Sequence, residues 1–140
     1  MRILSILLII FSLQSVNAEL KYKTPRVKKE FEQLFEKNLE LYQIVEYADS
    51  LVKKDVVITE IYRTQAEQDR YYKGKPKFTS PHQKWLAVDL RTRNLTKKQI
   101  TKIVKEINDR YNQKNTYIPT AFYHTIGKGY HIHMQFKRRK

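Results

Sequence analysis

The sequence predicts an α+β fold, a small and mainly antiparallel sheet with helices packed on one side. Three observations predict it. Apolar residues recur at helical spacing over 25–53 and again over 96–111. Segments rich in β-branched and aromatic residues, or alternating apolar with polar, occupy 56–62, 86–91, 121–125 and 130–136. The last two of these flank Gly127-Lys128-Gly129, a hairpin signal.

The elements follow in order. The first eighteen residues stand apart from the fold: Arg2 is a positive start, Ile3 to Leu13 is almost entirely apolar, and Val16-Asn17-Ala18 offers small residues where a signal peptidase cuts. A membrane span needs about 20 apolar residues, more than this run supplies. The expectation is a signal peptide over 1–18, one domain over 19–140, a periplasmic or secreted location, and no stable membrane insertion after cleavage.

Thr24-Pro25 then opens a helix, with proline at its first position. Val27, Phe31, Leu34 and Phe35, followed by Leu41, Ile44, Val45, Ala48 and Leu51, form apolar stripes on one long helix or two short ones. Val56 to Tyr62 reads as a strand closed by Arg63. Thr64-Gln65-Ala66-Glu67 is a capping box for a short helix reaching about Tyr72. Gly74 to Ser80 reads as a loop. In the strand Leu86 to Arg91, alternation puts Asp89 with Ala87 and Arg91 on the polar face. Thr96 caps a helix whose stripe is Ile100, Ile103, Val104, Ile107 and Tyr111. In the final strand Tyr130, Ile132, Met134 and Phe136 share one face, and His131, His133 and Gln135 share the other.

Composition narrows the chemistry. The chain has no cysteine, which excludes thiolate catalysis and cysteine-ligated zinc, so any metal must be held by His, Asp or Glu. The formal charge is +14, an excess that attracts polyanions. Behind a secretory leader the expected polyanion is a cell envelope. A nucleic-acid partner would account for the charge and the ten tyrosines, but it leaves the histidine spacing unexplained and conflicts with the leader, so no nucleic acid is expected. Lys137-Arg138-Arg139-Lys140 reads as a solvated tail.

Two short segments carry the chemistry. Ser80-Pro81-His82-Gln83-Lys84-Trp85-Leu86-Ala87-Val88-Asp89 sets a histidine seven residues before an aspartate, and His131-Ile132-His133 places two histidines on one strand face. A loop histidine and a strand aspartate at that interval can meet one ion. The His-x-His pair can address the same ion together, or one ring can bind while the other works beside it. Three protein ligands with a fourth position left to water make a catalytic zinc site.

The pattern Ser80-x-His82-x-x-Trp85-x-Ala87-x-Asp89, with Tyr62-Arg63-Thr64, Gln68 and His131-x-His133, resembles the zinc D-alanyl-D-alanine carboxypeptidases and L-alanyl-D-glutamate endopeptidases of bacteria and phages. These are grouped with lysostaphin-type peptidases and the hedgehog signalling domain. The resemblance spans about Val57 to Phe136. It implies that His82, Asp89 and His133 bind Zn2+, that Arg63 contacts the substrate carbonyl or carboxylate and stabilises the oxyanion, and that Ser80 bonds near the metal or substrate. Gln68 is expected to brace Arg63, and His124 to stand by without ligating.

There are two departures from the family pattern. Trp85 replaces a usual glycine, and its ring is expected to border the site as a substrate contact. Tyr130 stands where the carboxypeptidase branch has a glutamate base, which leaves His131 as the substitute. The implied activity is a zinc metallopeptidase, acting as a monomer, that hydrolyses peptidoglycan stem peptides through a metal-activated water. The alternative is a non-catalytic zinc-binding module of the same fold that binds the wall or a partner.

Overall fold

The computed structural model describes residues 19–73, 78–113, 118–125 and 129–137; the expected leader, much of the expected 74–80 loop, most of the Gly-Lys-Gly turn and all but Lys137 of the basic tail lie outside them. Thr24 caps the first helix, α1 (Pro25–Lys37), its hydroxyl accepting from the Val27 N–H. The second, α2 (Leu39–Ser50), begins after a single intervening residue. Asn38 makes the break. Its backbone leaves the helical region (φ −156°, ψ 82°), and its side chain accepts from Leu41 N–H to cap α2. The 25–53 stripe is therefore two short helices, joined at a buried asparagine.

Two residues, β1 (Lys21–Tyr22), pair in parallel with β2 (Val57–Glu60). A capping box opens α3 (Gln65–Tyr71), with Thr64 and Glu67 satisfying each other's backbone N–H groups. A 3-10 turn (Pro81–Lys84) leads into β3 (Ala87–Arg91). Thr96 and Gln99 form the capping box of α4 (Lys97–Arg110), and the chain ends on β4 (Ala121–His124) and β5 (His131–Gln135). The result is α+β: a mixed five-stranded sheet in the order β1-β2-β3-β5-β4, with every pairing but β1–β2 antiparallel, and four α-helices among the described residues.

One face of the sheet is apolar. Ile58, Val88, Leu90, Ile132 and Met134 are fully buried against Leu34, Leu41, Ile44, Val45, Ile103 and Ile107 of α1, α2 and α4. Each such side chain contributes about 1.5–3 kcal/mol by leaving water. Helix α3 adds nothing to this cluster; its buried side chain is Gln68. Two stripe positions differ from expectation. Phe35 is 56% exposed, because one step beyond Leu34 turns it off the buried stripe, where it meets Tyr42 edge-on. Tyr130 precedes the strand, is 66% exposed and stacks on Tyr123. Among the described residues no helix is long and apolar enough to cross a membrane.

The opposite face carries the polar residues, and the ladder sets them in rows. Asp89 lies opposite His133, which lies opposite Phe122; Arg91 lies opposite His131, which lies opposite His124. Strand β2 joins the first row through an irregularity. Ile58 pairs with Leu90 but Glu60 pairs with Asp89, so two residues of β2 span one of β3. Simple alternation would put Glu60 on the apolar face with Ile58. The extra residue turns it to the face of Asp89, as a β-bulge does.

Candidate metal centre

His82 is delivered by the 3-10 turn. Pro81 starts it, Ser80 Oγ accepts from the His82 N–H at 3.3 Å, and the Ser80 N–H donates to Gln83 Oε1 at 2.9 Å. The turn ends at Trp85, whose backbone is left-handed (φ 59°, ψ 31°). A second clasp runs to the end of β2: the Arg63 N–H donates to His82 O at 3.4 Å, and His82 Nδ1–H donates to Ile61 O at 3.0 Å. A carbonyl only accepts, so this bond places the ring proton on Nδ1 and leaves Nε2 with a lone pair when the ring is neutral.

The same logic orients the two strand histidines. His131 Nδ1–H donates to Gly129 O at 2.9 Å, leaving Nε2. His133 Nε2 lies 3.2 Å from Gln135 Oε1, and its other nitrogen is Nδ1. All three remaining nitrogens face one carboxylate. His133 Nδ1 stands 2.8 Å and His82 Nε2 3.4 Å from Asp89 Oδ1, and His131 Nε2 stands 3.6 Å from Asp89 Oδ2. Ring nitrogens turned toward one carboxylate in this way are the arrangement a metal ion needs.

The donor set fits zinc. His82, Asp89 and His133 are all buried, and their donor atoms lie mutually within 4.8 Å. Donors about 2.0–2.1 Å from a tetrahedral zinc stand about 3.3 Å apart, and the contacts of Asp89 Oδ1 fall on either side of that spacing. Two imidazoles and one carboxylate, each imidazole oriented by a hydrogen bond from its other nitrogen, is the pattern of a tuned metal site. The set is equally open to other imidazole-seeking divalent metals.

Within the cluster the carboxylate and the rings act on one another's charge. Burial pushes the Asp89 carboxyl up, but the His82 charge and the bonds from His133 and His82 prevail and hold it well below the usual range. Burial likewise works against the charged form of His82, and the Asp89 charge overcomes it, so the His82 pKa is raised. For His124, burial and then the neighbouring His131 and His133 push the pKa down.

Arg63 is buried at the edge of the cluster. Its Nε and Nη2 bond the two oxygens of Glu60 at 2.9 and 2.5 Å, its Nη1 bonds Gln68 Oε1 at 2.8 Å, and its guanidinium lies 4.5 Å from the Tyr71 ring centroid. Burial lowers its pKa, the Glu60 bond more than restores it, and the side chain stays cationic. Arg63, Asp89 and His131 line an open groove of about 1400 Å³ whose walls include Arg91, Arg93 and Lys97.

Of the residues singled out in the sequence, the fold thus gathers His82, Asp89, His131 and His133 around one carboxylate, with Arg63 beside them. Gln68 bonds Arg63 directly. Ser80 and Trp85 flank the turn that carries His82. The Ser80 hydroxyl is buried and faces the His82 backbone, while the Trp85 ring stacks on Tyr62 at 4.9 Å and packs against the core. Both shape the turn that carries His82, and neither lines the groove.

Sequence reasoning missed Glu60, the carboxylate that holds Arg63. Its i, i+3 spacing to Arg63 is visible, but the bulge that turns it to this face is not. Comparison of the chain with protein-family models, with curated proteins and with solved structures returns no match.

Proposed function

We propose that this chain is an exported zinc peptidase that hydrolyses peptide bonds in peptidoglycan stem peptides. The observation that carries the reading is the convergence of three imidazole nitrogens on Asp89, beside a buried and doubly braced arginine, at the side of an open groove. A zinc ion held by His82, Asp89 and His133 supplies Lewis acidity, lowering the pKa of water toward about 7 and polarising a carbonyl.

The protein's own groups do the rest. His131 Nε2 accepts the proton of the attacking water and returns it to the leaving amine, a role its Nδ1–H bond to Gly129 O prepares by fixing the tautomer. Arg63, permanently charged and held by Glu60 and Gln68, donates to the oxygen on which negative charge develops. Fixed donors of this kind need no reorganisation when the charge appears.

The groove walls support an anionic substrate: Arg91, Arg93 and Lys97 offer charge to the carboxylates of a stem peptide. The apolar N-terminal segment and the +14 charge support export to an anionic wall. The left-handed backbone at Trp85 supports the family resemblance, because the glycine usual there is the residue that conformation favours.

Mass spectrometry of purified muropeptides incubated with the zinc-loaded chain tests the reading. Cleavage that stops with chelator and in His131→Ala supports it, and the fragment masses identify the bond. Tight zinc binding with every muropeptide intact would replace it with the non-catalytic module.

A further inference from the structure

Beside the first cluster lies a histidine that the proposed reaction does not use. His124 stands directly opposite His131 on the β4–β5 ladder, their ring centroids 4.4 Å apart, and its ring lies 5.7 Å from that of His133. One nitrogen from each of these three rings lies within 4.8 Å of the others. Both ring nitrogens of His124 are shielded from solvent, and neither has a hydrogen-bond partner among the described residues. A neutral imidazole always carries one N–H and one lone pair, and buried polar atoms of either kind are nearly always partnered.

We infer that His124, His131 and His133 form a second divalent-metal position, overlapping the first through His133. Three neutral imidazoles suit zinc, copper(II) and nickel(II). The ion gives the His124 lone pair the partner it otherwise lacks. The two positions differ in charge: the first includes the Asp89 carboxylate, whereas the second is all imidazole. Sharing His133 sets the positions in competition. An ion in the second also takes up His131, so, if His131 is the proton acceptor proposed above, filling it stops turnover.

Zinc titration of the full chain, with bound metal measured after desalting, tests the second position in variants that disable the first. His82→Ala removes a ligand of the first position only. The expected result is one zinc retained by His82→Ala and bound at least tenfold more weakly in the double variant His82→Ala/His124→Ala. Equal affinity in the single and double variants overturns the inference, as does no zinc in a His82→Ala protein that keeps its native circular dichroism. Should His82→Ala fail to fold, Asp89→Asn disables the first position instead and is compared with Asp89→Asn/His124→Ala on the same criteria. These measurements read binding alone, so the peptidase reading fails separately, by intact muropeptides with zinc-loaded wild type.

Discussion

Asp89 and His133 face each other across β3 and β5, with His133 Nδ1 2.8 Å from Asp89 Oδ1. Every histidine of the first cluster meets the other two through this one carboxylate. Replacing it tests both the proposed metal site and the charge balance of the cluster. Asp89→Asn keeps the shape and removes the charge. Zinc affinity is expected to fall by more than about 100-fold, since even residues supporting a ligand are worth about 10–100-fold. With chelator present and His82 protonated, the substitution strands a buried imidazolium, at a cost of about 3–5 kcal/mol. Zinc titration and urea unfolding in chelator read the two effects separately.

Arg63 is held at both ends of its guanidinium, by Glu60 and by Gln68. Lysine keeps the charge but lacks the planar fork that makes these bonds together. On the proposed mechanism Arg63→Lys loses about 10²–10³-fold in kcat, the usual effect of removing one oxyanion donor. Zinc affinity is expected to stay near the wild-type value, because Arg63 is not a ligand. Parallel measurement of zinc binding and muropeptide cleavage checks this split.

Strand alternation makes much of the site legible in the sequence. Period two places Asp89, His131 and His133 on polar faces, and the ladder then brings them into adjacent rows. What stays hidden depends on contacts between distant segments. The bulge after Ile58 turns Glu60 toward Asp89, and no local pattern marks it. The two-residue β1 is too short for any periodicity, yet its parallel pairing makes the sheet mixed. Trp85 invites a reading as a substrate contact. Its actual position follows from Tyr62, which lies on a separate strand end and offers the ring a stacking partner.

Trp85 holds its left-handed backbone at a cost, since such a conformation strains any side chain with a Cβ by about 1–2 kcal/mol. Trp85→Ala and Trp85→Gly both lose the stack on Tyr62, but only glycine also releases the strain. Trp85→Gly is therefore expected to be more stable than Trp85→Ala by about 1 kcal/mol. Thermal unfolding of the two variants checks the order. Equal stabilities would mean the turn relaxes once the ring is gone.

Arg26 ties three elements together, bonding Glu30 on its own helix, the Tyr62 carbonyl at the end of β2, and both oxygens of Glu67 in α3. The hydrogen bond from Arg26 holds the Glu67 carboxyl down at about 2. A depressed carboxyl adds stability that is full above its unfolded pKa and lost as pH falls through the folded one. Arg26→Ala should thus cost about 1 kcal/mol near neutrality, a modest figure because the arginine is half exposed. The difference from wild type should shrink as pH drops from about 4.5 toward 2. Urea unfolding across that range checks it, and a pH-independent difference would assign the effect to packing instead.

Asn38 connects the helical layer to the candidate metal site. Its Nδ2 donates to Trp85 O and Phe136 O, both at 3.1 Å, and its Oδ1 caps α2. One acceptor closes the turn carrying His82 and the other follows β5, which carries His131 and His133. Asn38→Ala leaves two carbonyls without their partner in a buried setting and removes a helix cap. Unpaired buried groups cost about 1–3 kcal/mol each and a lost cap about 1 kcal/mol, so a total of about 3–7 kcal/mol is expected. Asn38→Ser restores the cap but cannot reach both carbonyls, so it should recover only about 1 kcal/mol. The more telling readout is zinc affinity in the folded protein. If Asn38 sets the spacing of His82 and His133, Asn38→Ser weakens zinc although it touches no ligand. A variant that loses stability but binds zinc as wild type would show that the 3-10 turn and β5 hold their spacing without it.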